Sequence, residues 1–430
     1  MDKIKIIGGN KLNGIIPISG AKNAALPLMI ASLLSSETVC IENVPYLSDI
    51  EQLIRILANL GVDYSIDGRK ECDKEDYRRT IHFTAKNITR TKASYDLVSK
   101  MRASFWVIGP ILARMGEACV SLPGGCAIGT RPVSFILDGL EALGADIDIE
   151  NGYVRAQAKN GLRGACYTFP KVTVGGTHVL LMAASLAKGE TVLKNAAKEP
   201  EIINLCQALQ AMGADIEGIG ASTLYIKGKP ALHGARQRVI FDRIEAGTYA
   251  MAVAMTGGSV LLTGANSNYL SSVIDILQYC GVNIEERSDG LLVSMGDGEL
   301  KSTDITTNPY PGFPTDLQAQ FMALMIRAKG TSHITETIFE NRFMHVQELA
   351  RLGAHISLAG QTAIIEGINK LQGAEVMATD LRASVSLVIA GLVAQGETTI
   401  SRIYHLDRGF ENLEKKLSNC GAQIKRVSVT

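Results

Sequence analysis

Residues 137–149 read LDGLEALGADIDI: an apolar-periodic run, a glycine at 144, a small residue, then alternation of apolar and acidic residues. The first half places leucines three and four apart, the spacing of one helix face. A glycine in that position stops a helix because it alone enters the left-handed region without steric cost. The second half alternates with period two, as a half-buried strand does. The same phrase returns as IRILANLGVDYSI at 54–66, CQALQAMGADIEG at 206–218, IDILQYCGVNIEE at 274–286, VQELARLGAHISL at 346–358 and LEKKLSNCGAQIK at 413–425. The six glycines, 61, 144, 213, 281, 353 and 421, are separated by 83, 69, 68, 72 and 68 residues. The chain is therefore six copies of one unit.

A second phrase keeps the same beat: SLLSSETV, ARMGEACV, LAKGETVL, MTGGSVLL, RAKGTSHI and VAQGETTI, each following an Ala-rich apolar stretch. Stretches such as IASLL and LVIAGLVA are apolar on nearly every face, which marks an inner, fully buried helix. One such unit leaves its apolar face uncovered, so three copies around a shared centre, twice over, would bury it. With 430 residues, two domains are also what length predicts. The polar segment HGARQRVIFDRIEAGT, between the third and fourth glycines, predicts the boundary. The last copy stops after one strand, so the N-terminal IKIIGGNKLNGIIPISG is expected to complete it. The resulting division is 1–21 with 241–430, and 22–240 inserted between them. The surplus in the first spacing is assigned to DGRKECDKEDYRRT at 67–80, which lacks apolar period and reads as a surface excursion.

Hydrophobic residues at 46 % and charged residues at 20 % exclude a disordered or fibrous chain. Basic and acidic residues number 43 each, so no global field draws the protein to nucleic acid or an anionic membrane. The opening MDKIKIIGGN has no secretory pattern and no apolar run reaches a membrane span, so a cytoplasmic protein is expected. Eight scattered cysteines, without CxxC pairs, fit a reducing compartment rather than a zinc site or disulfide scaffold.

Four polar clusters interrupt the apolar pattern. In GAKNAALP, Lys22 and Asn23 open an Ala-rich helix, where backbone donors and an ammonium can converge on an anion; the ordinary alternative is a solvated lysine. In SLPGGCAIGTRPVSF, Cys126 sits on a glycine-rich loop five residues before Arg131, where a reactive thiolate is one reading and an inert thiol, the core-filling role that suits Cys206, Cys280 and Cys420, is the other. In PYPGFPTDLQAQF, prolines 309, 311 and 314 delay a helix until Thr315. Thr315 and Gln318 then have capping-box spacing and place Asp316 in the first turn, as a dipole complement or as a base. The fourth cluster is Arg102, Arg342, Arg382 and Arg408, each amid apolar residues. They have Asp380 and Asp407 as candidate partners, or a multiply charged anion as ligand.

GAKNAALP, MRASFWVIGP, LPGGCAIGTRPV, FPTDLQAQ, FENRFMHV and LDRGFENL, taken in order across the whole chain, resemble the motifs of the UDP-N-acetylglucosamine enolpyruvyl transferases of the EPSP synthase superfamily. That resemblance implies two inside-out α/β domains, each of three βαβαββ repeats around buried helices, with the active site in the cleft between them. It implies transfer of the enolpyruvyl group of phosphoenolpyruvate to the 3-hydroxyl of UDP-N-acetylglucosamine through a tetrahedral ketal, with release of phosphate. This step opens peptidoglycan synthesis. Cys126 would protonate the enol carbon and Asp316 would accept the hydroxyl proton. Lys22, Asn23, Arg131 and Arg408 would hold phosphoenolpyruvate. The nucleotide sugar would meet Asn23, Arg102, Arg131, Pro132, Val133, Ser134, Phe135, Lys171, Val172, Thr173, Val174, Asp316 and Ile338, with Arg342, Asp380 and Arg382 in support. No cofactor, metal, nucleic acid or membrane partner is implied, and a monomer is expected. Two residues depart from the family pattern: Ile136, where many relatives carry histidine nearby, and Phe241 in place of proline.

The rivals are the sister transferase acting on shikimate 3-phosphate, against which the PGGC loop argues, and the RNA 3′-terminal phosphate cyclases. The latter need a nucleophilic histidine, and none of the seven histidines lies in a phosphate-handling motif. A non-catalytic repeat scaffold or an inactive regulatory paralogue has no positive signal.

Overall fold

The structure, a computed structural model, describes residues 2–67, 79–123, 133–296 and 298–428. The charged excursion at 68–78 and the loop carrying Cys126, Arg131 and Pro132 lie outside the described residues. Two compact units emerge. The terminal unit contains the chain up to Ser19 and from Phe241 onward; the inserted unit lies between Gly20 and Ile240. Each has its own apolar core, one drawn from Ala21 to Val239 and the other from Ile4 to Ile18 with Phe241 to Ile424.

All six repeats form, each as one four-stranded sheet with an inner and an outer helix. The inner helices are Lys22–Ala31, Ile108–Met115 and Val174–Ala184 in the inserted unit, and Arg243–Thr256, Gln318–Met325 and Ala383–Gly391 in the terminal unit. Every residue of Gln318–Met325 and Ala383–Gly391 is buried, as all-round apolarity requires. Close approach depends on small residues: a methyl group on Gly109 would lie 2.8 Å from Val179 on the neighbouring inner helix. The outer helices are amphipathic, as in Ser48–Asn59, which buries Ile50, Leu53, Ile54, Ile56 and Leu57. The six repeat glycines that follow these helices have φ between +88° and +98°.

Each sheet has the same order: a short edge strand, parallel to the strand after the inner helix, followed by two antiparallel strands. In the sixth sheet Lys3–Ile7 takes the place between Glu397–Ser401 and Gln423–Val427. Leu12–Pro17 then supplies the parallel edge beside Gly258–Thr263. In the inserted unit Arg236–Arg238 closes the first sheet in the same way, parallel to Thr38–Val44.

Where the chain leaves the terminal unit, Ser19 is held by a buried cluster. Its N–H donates to Glu245 at 2.7 Å and its hydroxyl donates to Glu411 at 2.8 Å. Lys416 Nζ donates to Ser19 Oγ and Glu245 Oε1, both at 2.7 Å, with both members of the ion pair 2 % exposed. Such a pair is stabilising only because each charge has several hydrogen-bond partners. Phe241 stacks on Tyr269, ring centroids 5.3 Å apart, and Ile136 is buried on the helix Ser134–Ala142.

Candidate active site

In the inserted unit, Lys22 opens its inner helix, at the end of the helix dipole that repels a cation. It is nevertheless buried rather than solvated: its side chain is 7 % exposed and its Nζ lies 3.2 Å from Asp49 Oδ2. Asp49 stands in the first turn of the outer helix Ser48–Asn59 and was not singled out from sequence, where an acid at a helix start reads as a dipole complement. Asn23, next along, is half-buried. Arg102 begins the 3-10 segment Arg102–Val107. Val133 precedes the helix Ser134–Ala142, whose Phe135 carbonyl accepts from Tyr167 Oη at 3.0 Å. Lys171 is exposed, Val172 half-buried, and Thr173 caps Val174–Ala184 by accepting from Gly176 N at 3.2 Å. Behind this cap, His178 is fully buried against Trp106, and burial pushes it down to about 3, so it is neutral.

In the terminal unit the prolines act as the sequence implies, but the capping box does not form. Thr315–Leu317 is a 3-10 turn and the α-helix starts only at Gln318, whose side chain is buried and does not reach back to cap. The Thr315 hydroxyl is engaged elsewhere: it donates to Glu336 Oε2 and accepts from Arg342 Nη1, each at 2.8 Å. Asp316 is thereby presented between two guanidiniums. Arg342 Nη2 lies 2.9 Å from Oδ1 and Arg382 Nε 3.3 Å from Oδ2; the arginines are 5 % and 2 % exposed and the carboxylate 25 %.

Asp380 Oδ1 accepts from the backbone N–H groups of Arg382 and Ala383, at 2.7 and 2.9 Å, in the turn that leads into the helix Ala383–Gly391. Asp407 pairs with Arg426. Beside the cluster His345 is buried and pushed down to about 4, first by burial and further by Arg342, against the pull of Asp380. His405 is lowered by burial and then by Arg408, which ends the 3-10 segment Ile403–Arg408. The backbone N–H of Ile338 donates to Glu336 at 2.8 Å.

Among the described cysteines Cys206 and Cys280 are buried and their thiols raised to about 12 and 11 by burial, which makes them inert. Among the described residues no group of three or more His, Cys, Asp or Glu side chains is arranged to hold a metal ion. No described helix is long and apolar enough to cross a membrane.

Residues 6–417 match the family model described as EPSP synthase (3-phosphoshikimate 1-carboxyvinyltransferase). Proteins named UDP-N-acetylglucosamine 1-carboxyvinyltransferase from Brucella ovis and Brucella melitensis are 70 % identical over 428 residues, covering 100 % of this chain and of each relative. Among solved structures, the enolpyruvyl transferase NikO from Streptomyces tendae superposes with a TM-score of 0.88 at 25 % identity, covering 100 % of this chain and 99 % of its own. An EPSP synthase from Acinetobacter baumannii gives 0.75 at 20 % identity, covering 100 % of both chains. The repeats, the paired units and a full-length likeness at this identity make the chain a member of the EPSP synthase family, within its UDP-N-acetylglucosamine 1-carboxyvinyltransferase branch.

Proposed function

We propose that this protein transfers the enolpyruvyl group of phosphoenolpyruvate to the 3-hydroxyl of UDP-N-acetylglucosamine and releases phosphate, in the cytoplasm, at the entry to peptidoglycan synthesis. The observation that carries the reading is full-length 70 % identity to proteins bearing that name. The Asp316 cluster supports it chemically. A carboxylate that remains partly exposed, with its orientation fixed by two buried guanidiniums, is suited to take a proton from a bound hydroxyl.

In the proposed reaction the Cys126 thiol delivers its proton to the methylene carbon of phosphoenolpyruvate, leaving the adjacent carbon electron-poor. The sugar hydroxyl adds there while its proton passes to Asp316, giving a tetrahedral ketal. Loss of phosphate, with a methyl proton returning to the Cys126 thiolate and the proton held by Asp316 leaving with the phosphate, restores the double bond as an enol ether. Lys22, Arg131 and Arg408 neutralise the phosphate and carboxylate oxygens, where positive charge helps without opposing the carbon that becomes cationic. Asn23, Arg102, Pro132, Val133, Ser134, Phe135, Lys171, Val172, Thr173, Val174 and Ile338 position the nucleotide sugar. Exclusion of water from the bound substrates would protect the intermediate from being trapped.

The description of the matching family model favours one alternative acceptor, shikimate 3-phosphate. Phosphate release measured with phosphoenolpyruvate and each acceptor separates them: turnover with UDP-N-acetylglucosamine is expected, and turnover with shikimate 3-phosphate alone would overturn the reading. Cys126→Ala is expected to lose turnover by about 10³-fold or more with the fold retained. The electrophilic phosphonate fosfomycin should label Cys126 before the other seven thiols, as peptide mapping by mass spectrometry would read.

A further inference from the structure

We infer that Glu336 is a positioning residue for Asp316, acting through the Thr315 hydroxyl and the Arg342 guanidinium; the inference rests on the proposed role of Asp316 as proton acceptor. Glu336 follows the strand Thr331–Thr335 and is fully buried. Its two oxygens have different work. Oε1 accepts from Thr307 Oγ1 at 2.8 Å, Ile338 N at 2.8 Å and Phe339 N at 3.1 Å, which fixes the turn carrying Ile338. Thr307 is itself set by Thr337 N, which donates to its hydroxyl at 3.0 Å. Oε2 accepts from Thr315 Oγ1.

A carboxylate only accepts, so the Thr315 hydroxyl hydrogen must point at Glu336 and its lone pairs face the other way. There Arg342 Nη1 donates to it, and with one nitrogen fixed the planar fork lays Nη2 on Asp316 Oδ1. The order of donation, from Arg342 to Thr315 to Glu336, thus holds one side of the Asp316 carboxylate in place. A loop staple alone would need Oε1 but not Oε2.

This asymmetry gives a near-isosteric test. In Glu336→Gln the amide oxygen keeps the three donors of Oε1, and the amide NH2 falls where Oε2 was. That NH2 donates to the Thr315 hydroxyl, which already receives Arg342, so the hydroxyl hydrogen loses its acceptor or the Arg342 bond breaks. The expected result is a fall in kcat of about tenfold or more, with KM for UDP-N-acetylglucosamine within about threefold of wild type because the Ile338 turn is retained. Thr315→Val should match that loss, Thr315→Ser should restore kcat, and Glu336→Gln with Thr315→Val should lose no more than either alone. An unchanged kcat in Glu336→Gln overturns the inference, as do losses that multiply in the double variant. Should Glu336→Gln fail to fold, Thr315→Val and Thr315→Ser still decide, equal kcat in the two overturning it. Wild-type protein assayed alongside keeps the two readings apart, because its own lack of turnover would count against the proposed function and not against the relay.

Discussion

Lys22 and Asp316 stand at equivalent places, each at the entry to a buried inner helix, yet they solve opposite electrostatic problems. The helix dipole disfavours the Lys22 ammonium and favours the Asp316 carboxylate. Lys22 is paired with the Asp49 carboxylate, both side chains below a tenth exposed. Asp316, already favoured, receives two guanidiniums and keeps a quarter of its side chain accessible. The first arrangement sets two buried charges of opposite sign against each other. The second gathers more positive charge than one carboxylate cancels, beside a group still open to a ligand. An anion that engages Lys22 must share it with Asp49, whereas an anion near Asp316 meets guanidiniums already in place.

The sharpest attack on this contrast is Asp316→Asn. It keeps the shape but removes the proton acceptor, and kcat for phosphate release should fall by about 10³-fold. A variant with near-native kcat would make Asp316 a purely structural counter-ion. Lys22→Met removes an ammonium proposed to neutralise the phosphate of phosphoenolpyruvate, and turnover measured as phosphate release should fall by about 10²-fold. Unchanged turnover there would make Lys22 a structural partner of Asp49 and no more.

Acid should weaken both units, each through its own histidine. His178 and His345 have folded values near 3 and 4, below the usual 6.5, so in that interval the unfolded chain binds protons that the folded chain does not. Stability is therefore complete above about pH 6.5 and falls as pH drops, by about 1.4 kcal/mol per pH unit for each histidine. His178→Phe, which keeps a ring against Trp106, should remove the share of the inserted unit from the slope in calorimetry; an unaltered slope would place the acid sensitivity elsewhere. The smallest effect belongs to Gly353→Ala. No atom lies within 4 Å of the added methyl, so only the φ of +95° opposes it, at about 1 kcal/mol in unfolding measurements.

The repeat was legible because its signals are local. A helix period, a left-handed stop and an alternating strand are all written within thirteen residues, and six such phrases arrive in order. Burial of the inner helices was legible for the same reason, since a helix apolar on every side has no face to give to water. The capping box was misread because spacing permits a contact without excluding a stronger competitor. Thr315 meets both Arg342 and Glu336, 27 and 21 residues away, and those bonds outweigh a local one to Gln318. Asp380 is held by backbone donors two and three residues on, a local contact that its charge disguises in the sequence.

By itself the sequence determined how many units there are, which of their helices lie inside, and which short motifs carry the candidate chemistry, because periodicity and backbone preference act over a few residues. Tertiary structure alone decided that Asp49 answers Lys22, that Arg342 and Arg382 converge on Asp316, and that Glu336 stands behind them. Those partners lie on different elements, and their pairing follows from the need to satisfy each charge taken out of water, which no spacing along the chain encodes.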